Sequence, residues 1–185
     1  AGMEYSDLDA VVTGVGPGPF TGLRVGMATA SALADALSIP LHGICTHDAI
    51  AAAAELPVDP AAAADEATAL VATDARRKEI YWATYRATDS GVQRISGPAV
   101  TKPAELEVEL TPTAEVIIPD RLAEQLPEKL ATLPHRAAHP TASALVAAAD
   151  LKAEPAPVVP LYLRRPDAVP PKQQQLSAAI PKVEL

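Results

Sequence analysis

The chain is poor in cysteine, in aromatic side chains and in positive charge, and it has no long apolar run. Its 185 residues contain one cysteine, Cys45, so no internal disulfide can form, and a reducing, cytoplasmic compartment is the simple expectation. Aromatic residues make up 3% of the chain while hydrophobic residues make up 49%, so the core must be built from Ala, Val, Leu and Ile. A net charge of −8 leaves no broad positive field for holding a phosphate backbone unaided. Work on nucleic acid would therefore need a basic partner beside it. No apolar stretch approaches the length that spans a bilayer, so no membrane partner is expected. The first residues do not read as a secretory leader. Ala1-Gly2-Met3 reads as the end of a helix entering a strand, so the expectation is a fragment or a chain cleaved before Ala1. The richness in alanine, with 19 prolines, fits a GC-rich genome.

The most informative stretch runs from Asp9 to Ile44. Leu8 to Val12 reads as a buried strand, and Gly14, Gly16, Pro17 and Gly18 as a tight loop. Thr21 is the expected N-cap of a helix whose inner stripe is Leu23, Met27, Ala30, Leu33 and Leu37. Ser38 and Pro40 end that helix, and Pro40 to Ile44 returns as a strand. A second face carries Gly22, Gly26, Thr29, Leu33 and Ala36, small apart from Leu33, which would let another helix approach closely. From spacing alone, the stronger reading is that these glycines seat the helix on its own sheet.

Further along, Thr46 is the expected cap of a helix running to Leu56, and the alanine-rich, acidic stretch 61–67 is the expected lobe boundary. Ala69 to Thr73 and Ile80 to Tyr85 read as a hairpin around the polar turn Asp74 to Glu79, with a third strand at Val92 to Ile95. A helix start at Lys102 to Glu105, a strand at Glu115 to Ile118, and helices at Asp120 to Leu126 and Ala142 to Ala149 follow. Val158 to Leu163, interrupted by Pro160, reads as a short edge strand, and the Pro-, Gln- and Lys-rich tail as disordered.

The candidates for chemistry are weak. The Gly/Pro loop lacks the Lys of G-x-x-x-x-G-K-[ST] and does not match G-x-G-x-x-G with a ribose-binding acid, so a tight turn is favoured over a nucleotide cradle. His135 and His139 stand four apart but are flanked by Pro134 and Pro140 and have no carboxylate between them, unlike H-E-x-x-H. Cys45 lies between His42 and His47, but a small buried hydrophobe is the simpler reading than a nucleophile. Arg76-Arg77-Lys78, the tight basic cluster of the central region, reads first as a solvated hairpin tip. Its functional reading is contact with RNA phosphate or an acidic partner.

The run G-P-G-P-F-T-G-L-R-V-G-M-A-T-A-S-A-L-A followed by I-P-L-H-G-I resembles the bacterial TsaB proteins, also called YeaZ. L-V-A-T-D-A-R-R-K-E-I-Y-W-A-T-Y resembles that family's second-lobe hairpin, and V-P-L-Y-L-R-R its C-terminal P-x-Y-L-R. The resemblance covers Asp9 to about Arg165, with Pro19 where Ser is usual and Ser31 where Lys is usual. It implies an α/β fold of the actin-like ATPase (ASKHA, RNase H-like) class: two lobes with mixed sheets flanked by helices. The expected divisions are 1–60 for what remains of the N-terminal lobe, 61–165 for the C-terminal lobe and 166–185 for a disordered tail. Family members begin with a D-T-S strand, a hairpin and a helix that have no counterpart here, so the first lobe is expected to be incomplete at its N-terminus.

The resemblance also implies a function. TsaB is the non-catalytic partner of its paralogue TsaD, which binds metal and transfers the threonylcarbamoyl group to tRNAs reading codons that start with A. The small ATPase TsaE joins the pair. The metal-binding histidines of TsaD fall, by the shared P-L-x-G-I/V strand, on Thr46 and Ile50 of this chain. Neither supplies an imidazole, so no metal site, no catalytic residue and no cofactor is expected. The strand Val116-Ile117-Ile118 runs into Pro119-Asp120 instead of the Gly-rich turn of ATP-binding members. The implied interface is a helix bundle in the first lobe, with Gly22, Leu23, Gly26, Met27, Thr29, Ala30 and Leu33 as the partner-binding residues. Two copies of the chain could pair through the same helix. The alternatives are a glycoprotease-type peptidase of the M22 kind, since these families were once grouped with such enzymes, and a small-molecule kinase of the same fold.

Overall fold

The computed structural model describes residue 2 and residues 4–164; the tail expected from residue 166 lies outside them. A 3-10 turn at Tyr5–Asp7 leads into β1 (Val11–Gly14), α1 (Phe20–Leu37), β2 (Leu41–Ile44) and α2 (Thr46–Ala53). There follow β3 (Ala69–Arg76), β4 (Glu79–Thr88), β5 (Gly91–Thr101), a 3-10 turn at Pro103–Glu105 and β6 (Glu115–Ile117). The short elements α3 (Asp120–Ala123), α4 (Glu128–Ala131), β7 (His135–Arg136) and α5 (Ala142–Ala147) complete the order.

The strands form two sheets. β1 and β2 pair in parallel, Val11 opposite Leu41 and Gly14 opposite Ile44, as a strand–helix–strand connection through α1 requires. The larger sheet has the order β5-β4-β3-β6-β7 and is mixed. Its first three strands are an antiparallel meander, whereas β6 runs parallel to β3 and β7 parallel to β6. Two apolar layers cover it. On one side Ile50 and Ala51 of α2 and Ala54 at its C-cap pack with Val71, Ala83, Tyr85 and Ile117. On the other, Leu70, Ile80, Val116 and Ile118 pack with Leu106, Leu122, Leu126 and Leu130. Alternate residues along β3 thus feed opposite layers, as strand geometry dictates. With few rings available, Tyr85 is the largest fully buried side chain among the described residues, followed mostly by aliphatics, with His47 among them.

Several expectations are corrected. α1 opens at Phe20 with Pro19 at its N-cap, so Thr21 lies inside the helix instead of capping it; likewise Cys45, not Thr46, precedes α2. α2 ends at Ala53, where Glu55 turns into the left-handed region at φ 49. β3 continues past Thr73 to Arg76, and the polar turn contracts to two residues. The helices at Asp120 and Ala142 are shorter than expected. Pro127 closes the first stretch by restricting Leu126 and then caps α4, a helix the sequence pattern did not reveal. At Pro103 a single 3-10 turn replaces a helix, because Leu106 leaves in extended conformation to enter the core. Val158 to Leu163 joins neither sheet. Pro160 has no N–H to give, and the backbone of the segment is tied to β1's end through the Leu161 N–H, which donates to the Val15 carbonyl at 2.8 Å.

Candidate functional site

α1 has two faces of different character. Met27, Ala30 and Ala34 are buried on the side toward β1 and β2, with Leu23, Leu33 and Leu37 half-buried at its margins. The outward side carries Gly22, Val25, Gly26 and Thr29, at the i, i+3, i+4, i+7 spacing of one helical stripe. Among the described residues, a Cβ placed on Gly22 or Gly26 would meet nothing within 4 Å, so their packing does not call for glycine there. Val25 is 62% exposed. The seven expected partner-binding residues therefore divide: Gly22, Gly26 and Thr29 point outward, Leu23 and Leu33 sit at the margin, and Met27 and Ala30 belong to the inner stripe. Sequence reasoning passed over Val25, although its position between Gly22 and Thr29 on the same stripe was the available signal.

The start of α1 is fastened from far along the chain. The Phe20 and Tyr162 rings meet edge to face with centroids 5.2 Å apart. Arg24 Nε donates to the Tyr162 hydroxyl at 2.7 Å, and its guanidinium lies 5.5 Å from the ring centre. That ring contact explains why Phe20 is drawn into the first turn. Two residues on, Arg164 donates to the Ala75 carbonyl and to Glu79, linking this strap to the β3–β4 hairpin. The Gly/Pro loop before α1 is equally constrained. Gly16 sits at φ +97, where a Cβ would lie 3.2 Å from Leu23 Cδ2, and its carbonyl accepts the Thr46 N–H at 2.7 Å.

Between this loop and the larger sheet lies a cleft of about 370 Å³, lined by Gly16, Leu23, Thr46, Ile50, Thr73 and Asp74 among others. Thr46 and Ile50, where the resemblance would put metal-binding histidines, are thus together on its wall, and neither is an imidazole. Pro119, at the end of the β6 strand, closes another part of the wall. His47 points away from the cleft into the protein. It is fully buried, and its Nε2 is 2.9 Å from Thr73 Oγ1. Burial, helped by the Arg94 charge, lowers its pKa to about 3, so the ring is neutral. His135 lies in β7 and His139 beside the cleft; both are exposed. No group of three His, Cys, Asp or Glu that could hold a metal occurs among the described residues.

Cys45 is buried, and burial followed by the Asp48 carboxylate pushes its thiol pKa up, the reverse of what activates a nucleophile. Asp48 instead organises α2 against the sheet. Its Oδ1 accepts the Tyr85 hydroxyl at 2.8 Å and faces the Arg94 guanidinium at 3.2 Å. Burial and the same carboxylate keep the Tyr85 phenol protonated far above its ordinary range. These groups read as a satisfied polar layer, not as an acid–base pair.

The family model for TsaD, tRNA N6-adenosine threonylcarbamoyltransferase, matches residues 1–153. A Mycobacterium leprae (strain TN) protein described only as uncharacterized is 46% identical over 177 residues, covering 92% of this chain and 42% of its own length. A similarly described protein of Mycobacterium tuberculosis (strain H37Rv) is 44% identical over 172 residues, covering 92% of this chain and 71% of its own. The tRNA threonylcarbamoyladenosine biosynthesis protein TsaB of Escherichia coli (strain K12) is 36% identical over 93 residues, covering 50% of this chain and 37% of its own. A solved Pseudomonas aeruginosa structure, described as similar to peptidase YEAZ, superposes with a TM-score of 0.70 at 26% identity over 88% of this chain and 77% of that one. YeaZ from the same organism gives 0.66 at 25% identity over 80% and 68%.

Proposed function

Because the chain belongs to the TsaD family, on its TsaB/YeaZ-like side and with the actin-like fold of its YeaZ neighbours, we propose that it is a non-catalytic subunit that pairs with a TsaD-type protein in forming N6-threonylcarbamoyladenosine on tRNA. A TsaE-type ATPase and the tRNA join through that complex. The chain spans 42% of the Mycobacterium leprae relative and 71% of the Mycobacterium tuberculosis one, and the reading concerns the part those proteins share with it.

One observation carries the pairing surface. Gly26 stands in the interior of an 18-residue helix with open space where its side chain would be. Glycine at such a position costs a helix about 1 kcal/mol relative to alanine. None of the described residues fills that space, whereas a second helix could use the gap for close approach. Val25 and Thr29 flank the gap and supply apolar and polar contact. Met27 and Ala30 act from below, by holding the helix on its sheet. The non-catalytic half of the reading is supported by Thr46 and Ile50, which stand on the cleft wall without a metal-binding group.

Co-purification with a TsaD-type partner tests the reading. Gly26→Leu fills the gap and is expected to abolish pairing while the chain's melting temperature stays at or above the wild-type value. Gly26→Ala is expected to weaken pairing less. Retention of the partner by Gly26→Leu at the wild-type level would remove α1 as the interface.

A further inference from the structure

We propose that a groove beside the β5 edge of the larger sheet docks an extended, lysine- or arginine-bearing segment of a second polypeptide. The surface is separate from the outward face of α1 and does not depend on pairing there.

The groove arises from how the chain crosses from β5 to β6. Leu122, Leu126 and Leu130, on the stretch that carries α3 and α4, pack over the middle of one face of the sheet. Toward β5 the cover is a 3-10 turn followed by an irregular stretch, 106–110. There Leu106 is buried and Val108 and Leu110 are half-buried, while Glu107 and Glu109 are exposed. The alternation is that of an extended chain with one side on the sheet. Just past its end, the Thr111 N–H donates to the Ala67 carbonyl at 3.0 Å. Between this stretch and the strands remains a groove of about 480 Å³, where Trp82, Ile95, Val108 and Leu110 present apolar surface.

Charge selects the occupant. Four carboxylates line the groove, those of Asp65, Glu66, Glu107 and Glu109, and no lysine, arginine or histidine does. Glu109 is met by Lys129 at 2.7 Å, and Glu66 accepts the Ala63 N–H at 2.8 Å. Among the described residues, the side chains of Asp65 and Glu107 have neither a hydrogen bond nor an ion pair. Arg86, two residues beyond Thr84 on β4, donates to the Ala62 carbonyl at 3.0 Å. A phosphate backbone would be repelled here. A lysine or arginine fits, because its alkyl stem can lie on the Trp82 and leucine surface while its charged head reaches the carboxylates.

The sheet edge selects a polypeptide over a free amine. β5 pairs with β4 on one side and, among the described residues, with no strand on the other. An unpaired edge offers its N–H and C=O groups to an incoming strand. The usable length is 91–96, since Gly97 stands at φ +85 and Pro98 has no N–H. Within it Val92 and Arg94 turn to the α2 side, where Arg94 faces Asp48 at 3.2 Å, and Ile95 lines the groove. A strand laid along this edge would place alternate side chains over the groove.

Trp82 is the chain's single tryptophan, so its emission reports on the groove directly. The probe is an acetylated ten-residue peptide of alternating Lys and Thr, titrated into the full chain at low salt. A saturable change in Trp82 emission is expected, and added salt should weaken it. D65N/E107Q removes two exposed charges that have no described partner, so the melting temperature is expected to hold while affinity falls about three- to tenfold. The same peptide with Glu in place of Lys should not bind, and methylation of its backbone nitrogens should weaken binding several-fold. An unchanged emission, or wild-type affinity in D65N/E107Q, would overturn the inference. Equal binding by the methylated peptide would make the groove a general polycation surface and overturn the strand pairing. Displacement of the peptide by an equal concentration of spermidine would assign the groove to small amines instead. Each of these outcomes leaves the family reading standing, because pairing through α1 is reported separately by Gly26→Leu.

Discussion

The two sheets of this molecule are finished to different degrees. In the larger one, Leu70, Val71, Val116 and Ile117 are essentially without solvent contact, and helices or loops close both faces. In the smaller one, Val11, Val12, Leu41 and Ile44 are only half-buried, α1 covers one side, and the far side of α1 shows Val25 between two glycines with open space above them. The larger sheet holds itself together. The smaller presents a surface whose composition the packing of the described residues does not explain, which is where the pairing partner is to be sought.

Mutations that separate stability from pairing sharpen this contrast. The largest expected effect is Leu70→Ala, which empties a site in the middle of the larger sheet and should lower unfolding free energy by about 2–5 kcal/mol in denaturant titration. A loss below about 1 kcal/mol would mean that this core is no tighter than the smaller one.

A pH titration of stability probes the same sheet through His47. Its ring is held neutral in the folded chain, with a pKa lowered to about 3, while the unfolded chain takes up the proton near the ordinary 6.5. The folded pKa is depressed, so the neutral histidine's contribution is present at neutral pH and lost as pH falls below about 6.5. The slope approaches 1.4 kcal/mol per pH unit. His47→Gln, which can still reach Thr73 but cannot titrate, should flatten that slope between pH 6 and 4.5. An unaltered slope would place the titrating group elsewhere.

The smallest effect runs the other way. Gly26→Ala should raise the stability of the isolated chain by up to about 1 kcal/mol, since nothing opposes the added methyl. Destabilisation by that substitution would show that the gap is needed by the chain itself and would blur the contrast between the sheets.

Much of the fold was legible because its signals are local. The inner stripe of α1, its stop at Ser38 with φ 54, the β2 strand and the β3–β4 hairpin follow from residue spacing and turn chemistry. Legibility failed where a distant contact overrode a local preference. Thr21 was the better cap by residue type, but the Tyr162 ring draws Phe20 into the first turn. The segment 158–163 reads as a strand, yet with Pro160 in it and Val15 as its anchor it becomes a strap. β5 was expected to end at Ile95. It runs on to Thr101 because, at the edge of the sheet, Pro98 need donate no ladder bond. At the candidate site, the glycines of α1 could be found from spacing, but the side they face could not, and Val25 was missed with them.

The sequence by itself determined the family signature, the strand–loop–helix–strand order around α1 and the identity of the residues at positions 46 and 50. Each is a matter of neighbouring residues and their periodicity. Only the tertiary structure decided that Gly26 faces outward, that three basic residues share a left-handed turn, and that Arg24 and Tyr162, 138 positions apart, lock the start of the helix. A helical period states that a helix has two sides. Which side stays uncovered depends on what the rest of the chain brings against it, and that is settled by contacts between residues remote in sequence.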